Sequence, residues 1–487
     1  MDGKGRTRVL LTGATGNLGR AVLAELRERD DRVTVLALAR RTDRSRTVLE
    51  RFADMENLEV AWGDLTDDAS VAACVRRADV VLHAGGLVSP EADAHPELVQ
   101  PVNVGGMRNI IDAVRSLPEP GAVAVVGIGS VAETGPRNPP RHWGRIGDPV
   151  QISRFDEYGL SKVIAERELV DSGLPKWTWL RLPGIVHPAM LGIRDPIMTH
   201  LTIGDVMEWV SAEDAARLLA NLCDPDAAAD VWGSVHNVGG GDGWRLTNWQ
   251  FLNALGGAMG VRDIRRWYDR NWFATRNFHG HWYTDSDRLE ELVPFRRDTF
   301  EGALHRATAA APATVRNAGR VPAWIVKRFA MQRLARMPRG TMAAVRDRDE
   351  ARIAAYFGSL DEWRAIGDWS TFEPPDPSRV PTMLDHGFDE SKPAAGWTAG
   401  DYAGVAAHRG GRLLSSDPPT GDVSTRLTWA CADGHEFRAS ARLVLAAGHW
   451  CPVCVADPVG YETQAHENAF LAQVIEDRSD TLTSSPT

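Results

Sequence analysis

Long apolar runs are missing from this sequence. No stretch of 18 apolar residues occurs anywhere, so no helix of membrane-spanning length is expected. No apolar leader segment precedes the first β-like run, and the expected location is cytoplasmic. Cysteine is scarce, with five in 487 residues. That is too few for a disulfide framework, and three of them cluster late, which points to metal rather than oxidation. An excess of positive charge is absent too. Lys+Arg number 55 against 65 Asp+Glu, a net charge of −10, and a general nucleic-acid binder is not expected. The hydrophobic and charged fractions, 43% and 25%, are ordinary for a globular protein. The length calls for about two to three domains.

From residue 8 to about 240, short β-rich runs alternate with amphipathic segments. Arg8–Leu11, Val33–Ala39, Leu58–Ala61, Val80–His83, Ala122–Val126 and Trp177–Leu182 read as strands. Arg20–Arg29, Asp67–Arg77, Val104–Ser116 and Tyr158–Ser172 read as helices. The alternation predicts βαβ units, right-handed crossovers and a doubly wound α/β fold around a parallel sheet. Beyond Leu182 the pattern loosens. Helices are expected over 208–223, Thr247–Met259 and Thr284–Leu292, the last capped by Ser286 or Asp285, and Gly233–Gly243 is glycine-rich. This material is expected to build a small lobe within a first domain of residues 1–310. Between Pro312 and Met337, Arg316, Arg320, Lys327, Arg328, Arg333 and Arg336 alternate with Val321, Trp324, Ile325, Phe329, Met331 and Leu334. Such a basic amphipathic segment lies on a membrane surface, docks a partner, or packs on its own protein with a solvated basic face; the last is expected. Residues 311–375 are taken as a helical linker ending in the stiff run Glu373-Pro374-Pro375-Asp376-Pro377. A C-terminal module at 376–480 and a frayed end at Ser479–Thr487 follow.

The first strand runs into Thr12-Gly13-Ala14-Thr15-Gly16-Asn17-Leu18-Gly19 and then into a helix. Strand, glycine turn and helix N-terminus in that order make a phosphate cradle. Gly13 allows the turn, Gly16 lets a pyrophosphate approach the backbone, and Gly19 lets helix pack on strand. The second strand ends Ala39-Arg40-Arg41. An NAD site usually has an acidic residue there for the ribose hydroxyls. Two arginines instead suit a 2′-phosphate and favour NADP(H), with NAD(H) left open, unless they are merely solvated loop residues. Asp64, after the third strand, stands where it can accept from an adenine amine or cap the following helix.

Tyr158 and Lys162 are spaced i, i+4 and share a helix face. A phenol titrates at about 10, and a neighbouring ammonium would lower that value. Ser130, at the end of the fifth strand, could orient a substrate oxygen. With Asp64-Leu65, His83-Ala84-Gly85-Gly86, Asn103-Val104-x-Gly106, Ser130 five residues before Gly135, Arg181-x-Pro183-Gly184, Asp214-Ala215-Ala216, Asn237-Val238-Gly239-Gly240 and Ser286-x-Arg288-Leu289, roughly residues 7–300 resemble the extended short-chain dehydrogenase/reductase family, the NAD-dependent epimerase/dehydratase group. The resemblance implies a Rossmann fold and a catalytic set of Ser130, Tyr158 and Lys162, with Asn103 starting a helix that supports it. It implies cofactor contacts at Gly13, Thr15, Gly16, Asn17, Leu18, Gly19, Arg40, Arg41, Asp64, Leu65, His83, Ala84, Gly85, Tyr158, Lys162 and Pro183. The helices near Asn103 and Tyr158 often pair subunits in that family, which is compatible with a homodimer. Two departures weigh against a nucleotide sugar. Gly184 stands where such enzymes carry asparagine, and Glu133-Thr134-Gly135 stands where they tend to have Val-Tyr-Gly. The chain resembles more the branch that reduces aldehydes, ketones or sterol-like alcohols. His187, His279 and His281 fall near the expected pocket, in substrate contact or structural roles.

Far downstream, Cys431 and His435 precede Cys451-Pro452-Val453-Cys454. Four ligands from two turns suit tetrahedral zinc, with His449 as the other histidine candidate and a redox Cys-x-x-Cys as the competing reading. The segment resembles zinc-ribbon domains. Lacking a dense Lys/Arg cluster, it is expected to contact protein or cover the enzyme rather than bind nucleic acid. The expected function is an NADP(H)-dependent oxidoreductase acting on a small carbonyl or alcohol, Tyr158 being the general acid/base. The alternatives are a nucleotide-sugar epimerase or dehydratase, or a cofactor-binding scaffold whose zinc module recruits a partner.

Overall fold

The computed structural model describes residues 5–475. The expected fraying at Ser479–Thr487 and the last residues of the 376–480 module lie outside them. Strands β1 (Thr7–Thr12), β2 (Val33–Ala39), β3 (Leu58–Trp62), β4 (Val80–His83), β5 (Ala124–Ser130), β6 (Trp177–Leu182) and β7 (Ser234–Asn237) form one sheet. Its order is β7-β6-β5-β4-β1-β2-β3, and every pairing is parallel. This is the doubly wound order of the expected Rossmann fold with one strand added outside the sixth.

Neighbouring residues of a strand point to opposite faces, and both faces are buried. Leu10, Leu36, Val81 and Val125 pack under helices α2 (Asp68–Val75), α3 (Gly106–Arg115) and α4 (Glu157–Val170). Val9, Leu11, Val35 and Val126 pack under α1 (Asn17–Arg27) and α5 (Ala212–Asn221). β5 starts later than expected because Pro120–Ala122 forms a 3-10 turn. It also runs on through Gly127 and Gly129, where a side chain would strike the Trp179 indole laid across them. β7 has no counterpart among the expected strands. It is four residues long, enters through Gly233 at φ +70°, and is half polar.

Residues 311–375 do not hang as a tether. Val326 and Ala335 are buried with Leu201, Ile203, Trp267 and Trp272. Trp369 Nε1 donates to the Tyr268 carbonyl at 2.8 Å and Trp363 Nε1 to that of Asn271 at 2.9 Å. The segment is therefore a wall of the lobe. The C-terminal module is a three-stranded antiparallel sheet of β8 (Arg412–Leu413), β9 (Arg426–Ala430) and β10 (Glu436–Ser440), with α6 (Ala399–His408) against it. Its core of Tyr402, Val405, Trp429, Leu443 and Leu445 is continuous with Ala165, Leu169, Trp177 and Trp179 of the sheet layer. Arg167 of α4 reaches the Arg438 carbonyl at 2.8 Å, and His386 Nε2 lies 2.9 Å from the buried Asp148 carboxylate. The module occupies the α4 surface on which a homodimer was expected, and past Glu157 no residue of α4 is exposed. Among the described residues, no helix is long and apolar enough to cross a membrane.

Candidate active site

Gly13 sits at φ +72°, a conformation open to glycine. A Cβ there would strike the Ala84–Gly85 backbone, and one on Gly19 would strike the Gly13 carbonyl. Gly16 N donates to Gly13 O at 2.9 Å. No side chain caps α1, so its first amides are free for an anion. Gly16 and Asn17 are exposed at the mouth of this cradle. Thr12 Oγ1 accepts from Gly85 N at 2.9 Å and meets His83 Nδ1 at 2.9 Å. Burial, then the nearby Lys162 charge, hold His83 down at about 3. Its neutral ring thus ties β1 to β4, and the side chain expected at the cofactor is turned to Thr12. Asp64 Oδ1 accepts from Thr66 N and Oγ1, each at 2.9 Å, a local turn; it does not cap the following helix, whose N-cap is Asp67. Arg40 and Arg41 are exposed at the end of β2, Arg41 lying 5.7 Å from the Trp62 ring. Arg20 is lowered by burial and by Arg51 and Arg44, so positive charge gathers beside the turn. This cluster was not visible in the linear order.

Ser130 ends β5; its hydroxyl accepts from Ala132 N at 3.2 Å and faces Tyr158, whose phenol it acts to lower. Asp156 caps α4 by accepting from Gly159 N at 2.7 Å, fixing the turn that carries Tyr158. Lys162 Nζ donates to the Ile128 carbonyl at 2.8 Å and lies 5.9 Å from the Tyr158 ring centre. The three residues converge as expected, but the lowering of Tyr158 by Lys162 is not what this arrangement produces. Burial pushes the phenol up, and the Ser130 hydroxyl only partly offsets it. Burial also brings Lys162 down to about 8, against the pull of Glu133. Asn103 does not start an α-helix. It lies in a π-helical turn, Gln100–Gly105. Its amide bridges Leu87 N at 2.7 Å, Leu87 O at 3.0 Å and Ser161 Oγ at 2.8 Å, which makes it a brace between the β4 loop and α4.

Beneath the trio lies a buried network. Glu133 accepts from Ser130 N at 2.6 Å and from Trp179 Nε1 at 3.2 Å. Arg181 grips both oxygens of Glu166, at 2.8 and 2.6 Å, stands 3.6 Å from Glu133, and donates to the Ala447 carbonyl at 2.9 Å. His449 Nε2 lies 2.9 Å from Glu166, so His449 belongs to this network and not to the metal set. Burial and the proximity of Glu166 hold Glu133 well above the usual carboxylate range. For Glu166 burial acts upward too, but Arg181, Glu133 and His449 outweigh it and hold the carboxyl well below that range.

Cys431, His435, Cys451 and Cys454 come together with all ligand atoms within 4.8 Å. His435 Nδ1 stands 3.4, 3.7 and 3.5 Å from the three sulfurs, and Cys454 Sγ is 3.6 Å from Cys431 Sγ. Ligands at about 2.3 Å from a shared centre stand roughly 3.8 Å apart in a tetrahedron, so these residues fit zinc. No other such group occurs among the described residues, and His279 and His281 do not form one. His281 Nε2 meets Thr134 Oγ1 at 2.9 Å, and His279 stacks on Phe278. His187 Nε2 lies 3.3 Å from Asn17 Nδ2, at the glycine turn.

Residues 9–181 match the model of the NAD dependent epimerase/dehydratase family. Over those residues the chain is similar to that family. It is 31% identical to 3 beta-hydroxysteroid dehydrogenase type 7 of Mus musculus over 196 residues, 38% of this chain and 52% of that protein. To the Homo sapiens protein of the same name it is 30% identical over 205 residues, 40% of this chain and 54% of that one. The chain thus spans about half the length of these relatives. Among solved structures, the Thermus thermophilus UDP-glucose 4-epimerase complexed with NAD is 19% identical at a TM-score of 0.48, over 62% of this chain and 98% of that one.

Proposed function

We propose that the protein is an NADP(H)-dependent oxidoreductase acting on a carbonyl or alcohol of an apolar small molecule. The observation that carries this is the convergence of Ser130, Tyr158 and buried Lys162 beside an uncapped glycine turn, Lys162 Nζ lying 5.9 Å from the tyrosine ring centre. A bound nicotinamide dinucleotide supplies or accepts the hydride. Ser130 Oγ holds the substrate oxygen. Tyr158, kept protonated by its raised value, gives its proton to the developing alkoxide, and takes it back in the oxidative direction. Lys162 stays charged at neutral pH and, anchored to the Ile128 carbonyl beside the tyrosine ring, would hold the cofactor's ribose. Asn103, through Ser161 and Leu87, holds the helix and loop in place.

Exposed Val88, Phe155 and Ile193 favour an apolar substrate. Their segments are drawn together by Arg339, which reaches the Pro90 carbonyl and Asp195, and by Arg352 over Phe155. A nucleotide-sugar epimerase or dehydratase would use the same trio. Against it, a side chain at Gly184 would run into Trp209 and Met207, leaving no room for the asparagine those enzymes carry. Arg40 and Arg41 favour NADP(H) over NAD(H). We read the four Cys/His ligands as a closed structural zinc site. The protein is read as a monomer, the C-terminal module covering α4 in place of a second subunit.

The test is NADPH oxidation by the purified full chain against a panel of apolar ketones and aldehydes. Tyr158→Phe should lower turnover by about 10²–10⁴-fold while NADPH binding, followed by fluorescence, is retained. Unchanged turnover would refute the mechanism, and activity on nucleotide sugars alone would transfer it to the epimerase class.

A further inference from the structure

Residues 302–346 contain no acidic side chain, in a chain of net charge −10. At their centre Ala323–Ala335 is one helical stretch with a π-helical turn, Lys327–Met331, set into it. Ala323, Val326, Met331 and Ala335 pack into the lobe. In an unbroken α-helix, Trp324 would share their face, because Met331 and Ala335 follow it by two and three turns. Instead Trp324 is 66% exposed and Phe329 53%. The wider π turn shifts the register and carries Trp324, Arg328, Phe329, Arg333 and Arg336 outward together, all of them exposed. Arg333 stands 5.9 Å from the Phe329 ring centre. Val321 and Met337 extend the apolar surface at either end, with Arg316 and Arg320 exposed alongside. Lys327 is engaged by Asp269 at 2.6 Å and Arg346 by Asp347 at 2.7 Å. No ion pair among the described residues reaches Arg316, Arg320, Arg328, Arg333 or Arg336.

A merely solvated basic face would have no need of an indole and a phenyl ring turned to water. We propose that this face docks the protein on an anionic lipid bilayer, with Trp324 and Phe329 seated among the headgroups and the five unpaired arginines on lipid phosphates. The geometry is that of a helix lying in the interface plane. Aromatic rings rest at the polar–apolar boundary, and guanidinium groups on long stems reach the anionic layer. An acidic polypeptide would satisfy the arginines and leave the two rings in water. The proposal is independent of the reaction assigned above.

The experiment is flotation of the full chain, loaded with zinc and NADPH, with two kinds of vesicle. One is phosphatidylcholine alone and the other phosphatidylcholine mixed with phosphatidylglycerol. Binding is expected only to the anionic vesicles and should fall with added salt. Each arginine removed in Arg328→Gln and Arg333→Gln should weaken it about fivefold. Trp324→Ala/Phe329→Ala should weaken it further, with an unchanged urea midpoint because both side chains are outside the core. Equal binding to both vesicles, or to neither, overturns the proposal. So does capture by poly-glutamate without vesicle binding, which would assign the face to a protein partner.

Discussion

Replacing Arg181 by methionine probes the joint between the sheet and the C-terminal module. The guanidinium is fully buried, clamps both oxygens of Glu166 and donates to Ala447 of the module. Methionine keeps most of the length and volume but leaves the Glu166 carboxylate without a permanent cation, with only Glu133 and His449 beside it. Removing one partner of a buried ion pair costs about 3–5 kcal/mol, and the stranded Ala447 carbonyl adds about 1 kcal/mol. The expected loss is roughly 4–6 kcal/mol, read as a lowered urea midpoint and earlier proteolysis within residues 400–475. Arg181→Met combined with Glu166→Leu should recover much of this, because no charge is then left without its partner. A single variant costing under about 1 kcal/mol, or a double variant worse than the single, would refute the reasoning. Turnover in the single variant should fall as well, because Glu133, which holds the Ser130 amide, loses its neighbouring cation.

Exchanging Arg40 and Arg41 for glutamine should cut NADPH affinity by about tenfold or more, the worth of a charge-assisted contact, and leave NADH affinity unchanged; equal losses for both would sink the 2′-phosphate reading. Elemental analysis should find zinc bound to each chain, and Cys454→Ser or a strong chelator should remove it and lower the melting temperature. Protein prepared without chelator and free of zinc would end the metal assignment. Alongside Glu166, Asp148 should contribute to the acid sensitivity. Burial acts upward on its carboxyl, but Arg137 and His386 hold it at about 2. A depressed carboxyl stabilises the fold above its unfolded value and loses that contribution as pH falls from about 4 towards 2, about 2 kcal/mol in all. Asp148→Asn should flatten the urea midpoint against pH in that window; an unaltered slope would count against the assignment.

The sheet was legible where strands are short, apolar and closed by turns. β2, β4 and β6 span the residues that the pattern picks out, and the glycine turn and the Tyr158–Lys162 spacing led directly to the site. Cys451-x-x-Cys454 with Cys431 and His435 was equally plain, because metal ligands come in tight local pairs. What escaped is what depends on contacts distant in sequence. Glu133 stood out only as a family departure, since Arg181, Glu166 and His449 lie 48, 33 and 316 residues further on. His449 could not be separated from His435 until Glu166 claimed it. β7 was hidden by the glycines on either side of it and by its mixed polarity. The outward turn of Trp324 and Phe329 could not be read from the sequence, because a π turn leaves no mark in residue spacing.

The union of module and sheet also sets a timetable for the newborn chain. Everything needed for the seven-stranded sheet has been made by about residue 300, and N-terminal units generally fold first during synthesis. Yet the partners that cover α4 and complete the Arg181–Glu166 cluster, Ala447 and His449, are among the last residues made. Until they arrive, a charged pair and an apolar helix face meant for the interior stand open to water. The early half must wait, protected or transiently unstable, for the end of its own translation.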